Sequence, residues 1–126
     1  MAEPNTPHVL VVDAAAALRG ILGSVLQQAG FRVTLASGVR EGVQALEMGR
    51  PELVVTDLSM PDGSGHDILL AANQFAPPPP VIVVSGSLSE SGGDGHELLE
   101  AGARHLVPKP FVFAELLAIV HSMVAL

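Results

Sequence analysis

The stretch Leu53-Val54-Val55-Thr56-Asp57-Leu58-Ser59-Met60-Pro61-Asp62-Gly63-Ser64-Gly65 decides how this chain folds. An apolar, β-branched run that stops at a carboxylate and passes into a Pro/Gly turn reads as a buried strand ending at Asp57. In an open α/β sheet, ligands collect where strands end at their carboxyl edge, so Asp57 is a candidate reaction centre. Taken alone, the stretch favours a plainer reading in which Asp57 opens a turn, Met60 packs, and Pro61-Asp62-Gly63 completes the turn. Three other apolar runs shift the balance, because they too end in polar residues: Asp13, Ser85 and Lys109.

Working outward, strand and helix patterns alternate. Residues 8–12 form an apolar run closed by Asp13, and 14–29 carry Leu18, Ile21, Leu22, Val25 and Leu26 at helical spacing. Gly30 stops that helix, 31–36 alternate with period two, and Val39, Val43 and Leu46 mark a second amphipathic helix closed by Gly49. Residues 52–56 are the third strand. Residues 64–75 are the third helix, with Ser64 as N-cap and Ile68, Leu69 and Ala72 on its inner face. Pro77 to Pro80 must be extended, because proline lacks a backbone donor and holds its predecessor out of the helical region; the run reads as a rigid spacer. A fourth strand over 81–84 leads into the Gly/Ser-rich stretch 85–95 and a short helix over 96–101, expected to be poorly anchored. A fifth strand over 105–107 precedes a closing helix marked by Phe113, Leu116, Leu117, Val120 and Val124.

Composition bounds what such a chain does. At 126 residues and 48% hydrophobic content it makes one domain with its own core, and with no cysteine it has neither disulfides nor a thiolate site. A formal charge of -7 with five scattered arginines argues against a nucleic-acid partner, which needs clustered cations. The sole lysine, Lys109, lies between two prolines at the end of an apolar run. No apolar stretch approaches the roughly 18 residues needed to span a bilayer, and residues 1–7 lack the features of a signal peptide. They read as a short disordered lead-in to a domain over 8–126, and the setting is expected to be cytoplasmic. His8, His66, His96, His105 and His121 show no metal-site spacing and read as structural or surface residues. The turn after Asp57 lacks a P-loop lysine, and Val84-Ser85-Gly86 lacks the glycine of a nucleophile elbow.

Five strand and helix pairs imply a doubly wound α/β sandwich with a parallel sheet and helices on both faces. Prolines beside Lys109 place strand five at an edge, which the order 2-1-3-4-5 satisfies. That order brings Asp13 beside Asp57 and delivers Ser85 and Lys109 from the other side into the same crevice. The set Val11-Val12-Asp13, Val55 to Gly63, Val84-Ser85-Gly86, Ala101-Gly102-Ala103 and Pro108-Lys109-Pro110-Phe111 resembles a bacterial two-component response-regulator receiver domain over residues 8–126. The resemblance implies a flavodoxin-like three-layer fold with a five-stranded sheet.

It also implies that Asp57 is the phosphoacceptor, taking phosphate from a partner histidine kinase or phosphotransfer protein. Mg²⁺ would be held by Asp13, Asp57 and the backbone carbonyl of Ser59, with Ser85 and Lys109 binding phosphate and driving the switch. The peptide before Pro110 is the family's cis candidate. Two departures stand out. Ala14 occupies the position of a second acidic residue, so Mg²⁺ affinity is expected to be weakened. Leu106 stands where the family carries Tyr or Phe, and His105, alternating to the opposite face, does not replace it. The stretch 85–95 is also slightly long for the family. The expected role is a phosphorelay module rather than an enzyme, signalling through protein contacts to a downstream partner the sequence does not identify, with a homodimer left open. The alternative is a pseudo-receiver, an interaction module that no longer depends on phosphate.

Overall fold

A computed structural model describes residues 6–86 and 93–124, the side chains of 93–95 excepted. Most of the expected lead-in and the middle of the stretch 85–95 therefore lie outside the described residues. Five strands form one parallel sheet: β1 His8–Val12, β2 Arg32–Ala36, β3 Leu53–Asp57, β4 Val81–Ser85 and β5 His105–Pro108, in the order β2-β1-β3-β4-β5. A small antiparallel hairpin, Ser59–Met60 with Gly63–Ser64, stands outside this sheet. The helices are α1 Ala16–Gln28, α2 Val39–Gly49, α3 Gly65–Ala72, α4 Gly93–Glu100 and α5 Phe113–Met123. Among the described residues no helix is long and apolar enough to cross a membrane.

Side-chain alternation along the strands feeds two apolar layers. Leu10, Val12, Val54, Val81 and Val83 meet Leu46, Ile68, Leu69 and Leu98 beneath α2, α3 and α4. Val9, Val11, Val55, Ile82, Val84 and Val107 meet Leu22, Leu26, Leu116 and Val120 beneath α1 and α5. Both faces of the central strands are thus covered, which accounts for their uninterrupted apolar runs. Register then fixes the functional edge. Val12 pairs with Thr56, Asp57 with Val84 and Ser85 with Pro108, so the four polar strand ends fall within two residues of one level.

Several local expectations are corrected. Helix α1 begins at Ala16, not at residue 14, because the Asp13 side chain accepts from the Ala15 amide at 2.8 Å and holds that segment in a turn. Ile21, expected on the inner face of this helix, is 49% exposed. Helix α2 is closed by Arg50 in the left-handed region (φ 46°) rather than by Gly49, and its guanidinium lies 4.9 Å from the centre of the Phe75 ring. Helix α3 ends at Ala72 instead of continuing to Phe75, and Asn73 donates from its side chain to the Ala101 carbonyl at 2.9 Å. Helix α4 starts at Gly93 rather than at residue 96 and is anchored by fully buried Leu98, while neighbouring Leu99 is half exposed. Ahead of the proline run, the Ala76–Pro77 peptide is cis.

His8 sits inside the fold, 5% exposed, with Nε2 2.6 Å from the Thr34 hydroxyl of the neighbouring strand. Burial, seconded by the charge of Arg32 and opposed by Glu52, pushes its pKa below the ordinary value. The unfolded chain therefore binds a proton that the folded chain resists. The resulting stability is fully present above about pH 6.5 and is lost as pH falls toward the depressed folded value, at no more than about 1.4 kcal/mol per pH unit. Denaturant titrations of wild type and His8→Gln at about pH 7.5 and about pH 5.5 are expected to show the larger acid loss in wild type. Equal losses in the two proteins would remove His8 as the cause.

Candidate functional site

The apolar runs end where they do because a carboxylate or ammonium belongs at the wet rim of the sheet rather than between its layers. Asp13 follows β1, Asp57 closes β3, Ser85 closes β4, and Lys109 follows β5. Lys109 joins the two carboxylates: its Nζ lies 3.3 Å from Asp13 Oδ2 and 3.5 Å from Asp57 Oδ1. The Lys109 amide also donates to the Ser85 carbonyl at 2.9 Å, fixing the root of the side chain against β4. The Lys109–Pro110 peptide is cis.

The carboxylates differ in setting. Asp13 is buried and engaged on every side: Oδ1 accepts from the Ala15 amide, Oδ2 faces Lys109, and its backbone carbonyl accepts from Arg19 Nη1 at 2.9 Å. Asp57 is more open, with a side chain 15% exposed. Burial raises its pKa above the ordinary aspartate value; Lys109 opposes that shift and Asp13 adds to it. Asp57 thus combines solvent access with a cation that favours the anionic, nucleophilic form.

Beyond Asp57 the chain turns tightly. The Leu58 carbonyl accepts from the Gly65 amide at 2.7 Å, and a Cβ at residue 65 would lie 3.0 Å from the Asp57 carbonyl, so glycine permits this approach. Ser59 is exposed on the hairpin, and Met60 is buried in the layer beneath α2 and α3. Ser85 is buried at the end of β4. Ala14 is exposed beside Asp13, and among the described residues no three His, Asp or Glu side chains converge as a metal cluster. Asp13 and Asp57, both within reach of the Lys109 ammonium, nevertheless bring two hard-oxygen donors to one rim, a chemistry that fits Mg²⁺ with water completing its shell. Leu106 packs, partly buried, against the layer beneath α3 and α4, and His105 is exposed.

Asp62 has a role that its turn sequence does not announce: its carboxylate accepts from the Val39 and Arg40 amides at 2.9 and 3.0 Å. A clue was available: Gly38 precedes α2 and has no side chain to cap it, so the first amides of that helix need an acceptor from elsewhere.

The model for the response regulator receiver domain matches residues 9–121. The chain belongs to the response-regulator receiver family. This receiver domain is 35% identical over 111 residues to the KDP operon transcriptional regulatory protein KdpE of Escherichia coli, covering 88% of this chain and 48% of that protein. It is 32% identical over 105 residues to the chemotaxis protein CheY of Thermotoga maritima, covering 82% of this chain and 86% of CheY. The chain thus spans about half of KdpE, and a quarter (24%) of the transcriptional regulator NtrC of Rhizobium meliloti. Among solved structures, the non-phosphorylated HemR receiver domain of Leptospira biflexa superposes with a TM-score of 0.86 at 26% identity, covering 96% of each chain. Receiver domains are signalling modules of two-component systems, and the family typically binds Mg²⁺.

Proposed function

We propose that this receiver domain accepts a phosphoryl group on Asp57 from a phosphohistidine of a partner kinase or phosphotransfer protein and passes the signal on by protein contact. One observation carries the reading: a partly exposed aspartate at the end of the central strand lies 3.5 Å from the only lysine in the chain, which also neutralises Asp13. A carboxylate oxygen of Asp57 forms the new bond to phosphorus as the phosphorus–nitrogen bond of the donor breaks, and the electron pair stays with the imidazole. Lys109 meets the charge on the equatorial oxygens, and the Ser85 hydroxyl serves as a donor to one of them. Asp13, Asp57 and the Ser59 carbonyl would hold Mg²⁺, which supplies further charge neutralisation when bound.

Intact-mass measurement after incubation with a small phosphodonor and Mg²⁺ tests the reading, with one added phosphoryl group expected. An unlabelled chain under donor and metal excess would favour the pseudo-receiver, toward which Ala14 and Leu106 point.

Ala14→Asp is expected to tighten Mg²⁺ binding about tenfold. Each added unit-charge pair at about 4 Å contributes roughly 4 kcal/mol at an effective dielectric of about 20, most of it offset by desolvation and carboxylate repulsion. The same repulsion should lower the metal-free melting temperature. Calorimetric titration beside thermal melts decides this, and unchanged affinity would mean that residue 14 does not face the ion.

A further inference from the structure

We infer that Asp62 is a positioning residue for the cation site: by capping α2 from a distance, it fixes the hairpin that presents the Ser59 carbonyl. Contacts at both ends of the hairpin support this. Asp62 lies in the two-residue loop between Met60 and Gly63 and accepts from the first two amides of α2, Val39 and Arg40, at 2.9 and 3.0 Å. Gly38, the residue before that helix, supplies no cap, and a Cβ there would lie 2.6 Å from Asp62 Oδ1, so glycine leaves room for the incoming carboxylate. At the other end of the hairpin, Ser64 and Asp67 close a capping box on α3, with Ser64 Oγ accepting from the His66 amide at 3.1 Å and Asp67 accepting from the Ser64 amide at 3.0 Å. Buried Met60 pins the strand between.

The hairpin is therefore held at two helix N-termini, and Ser59, paired with Ser64, sits between them. Helix N-termini favour a negative partner, and the two α2 amides hold the Asp62 carboxyl below the ordinary aspartate range. The anion is thus retained across the physiological range.

This inference rests on the proposed cation site, and the test separates the two. Mg²⁺ itself is the probe, titrated calorimetrically into wild type, Asp62→Ala, Asp62→Asn and Glu41→Ala, with metal-free melts alongside. Glu41 provides the control, because it accepts from the amide and hydroxyl of Ser37, both at 2.7 Å, and so braces the same helix start through Ser37 rather than through a hydrogen bond to the hairpin. Asp62→Ala is expected to weaken Mg²⁺ binding roughly tenfold, as is usual when a group supporting a metal ligand is lost. Asp62→Asn, which keeps an acceptor, should fall between, and Glu41→Ala should lower the melting temperature while leaving Mg²⁺ affinity in place. The Val39 and Arg40 amide resonances should shift in Asp62→Ala. Unchanged affinity in Asp62→Ala, an equal loss in Glu41→Ala, or an Asn variant as weak as the Ala variant would each overturn the positioning role. If wild type itself fails to bind Mg²⁺, the cation-site reading falls and takes this inference with it.

Discussion

Asp57→Asn is expected to abolish phosphoryl labelling completely while leaving the fold as stable as wild type or more so. Labelling requires an anionic carboxylate oxygen as nucleophile, and the neutral amide does not provide one. The second half of the expectation comes from electrostatics. Burial and Asp13 both raise the Asp57 pKa, so both work against the anion in the folded chain, and an uncharged side chain of the same shape relieves both costs. Part of that gain is offset by the lost attraction to Lys109 at 3.5 Å. Intact mass and thermal melting on the same samples give both readouts. Retained labelling in Asp57→Asn would move the acceptor elsewhere, with Asp13 the first place to look.

Lys109→Ala is expected to slow phosphoryl transfer by about a hundredfold, the usual cost of removing one fixed donor from a developing anionic centre. The fold should suffer less, because β5 is held by Val107 in the layer beneath α5 and not by the ammonium. Where stability is lost, its pH dependence is diagnostic. Without Lys109 the Asp57 pKa rises further above its unfolded value, so the deficit relative to wild type should be small below about pH 4, where the carboxyl is protonated in both states. It should grow as pH rises through the folded pKa and level off above it. Melts across that range, with carboxyl carbon resonances to follow Asp57 directly, would show this pattern. A deficit independent of pH, with transfer unchanged, would remove Lys109 from the chemistry.

The parts of the fold that were legible in the sequence are those governed by local pattern. Apolar runs ending at Asp13, Asp57, Ser85 and Lys109 located four strand ends, and proline on both sides of Lys109 put β5 at the edge where it stands. Details set by contacts distant in sequence were hidden. Arg50 tolerates a left-handed backbone with its guanidinium over Phe75, 25 positions along the chain, and nothing near Gly49 announces that ring. Ile21 has the spacing of an inner residue but is half exposed, outside the layer that Leu22 and Leu26 join. Asp62 looks like turn chemistry because its partners, Val39 and Arg40, belong to an earlier helix. In the site, residue types could be read one by one, whereas the sharing of one ammonium between two carboxylates follows only from register.

Helix α2 runs from the Asp62 carboxylate beside the crevice to the Arg50 guanidinium over Phe75 at the opposite rim, a strut of 11 residues and so about 16 Å long. A rod seated at both ends turns a small tilt at one seat into a displacement at the other, as a balance beam does. Met48, 78% exposed in its last turn, is the natural place for a pointer. Because the chain has no cysteine, a thiol introduced there would be unique and could carry a spin label or dye without entering the crevice. Motion at the hairpin could then be followed optically or magnetically in a protein that has no tryptophan or tyrosine of its own to report it.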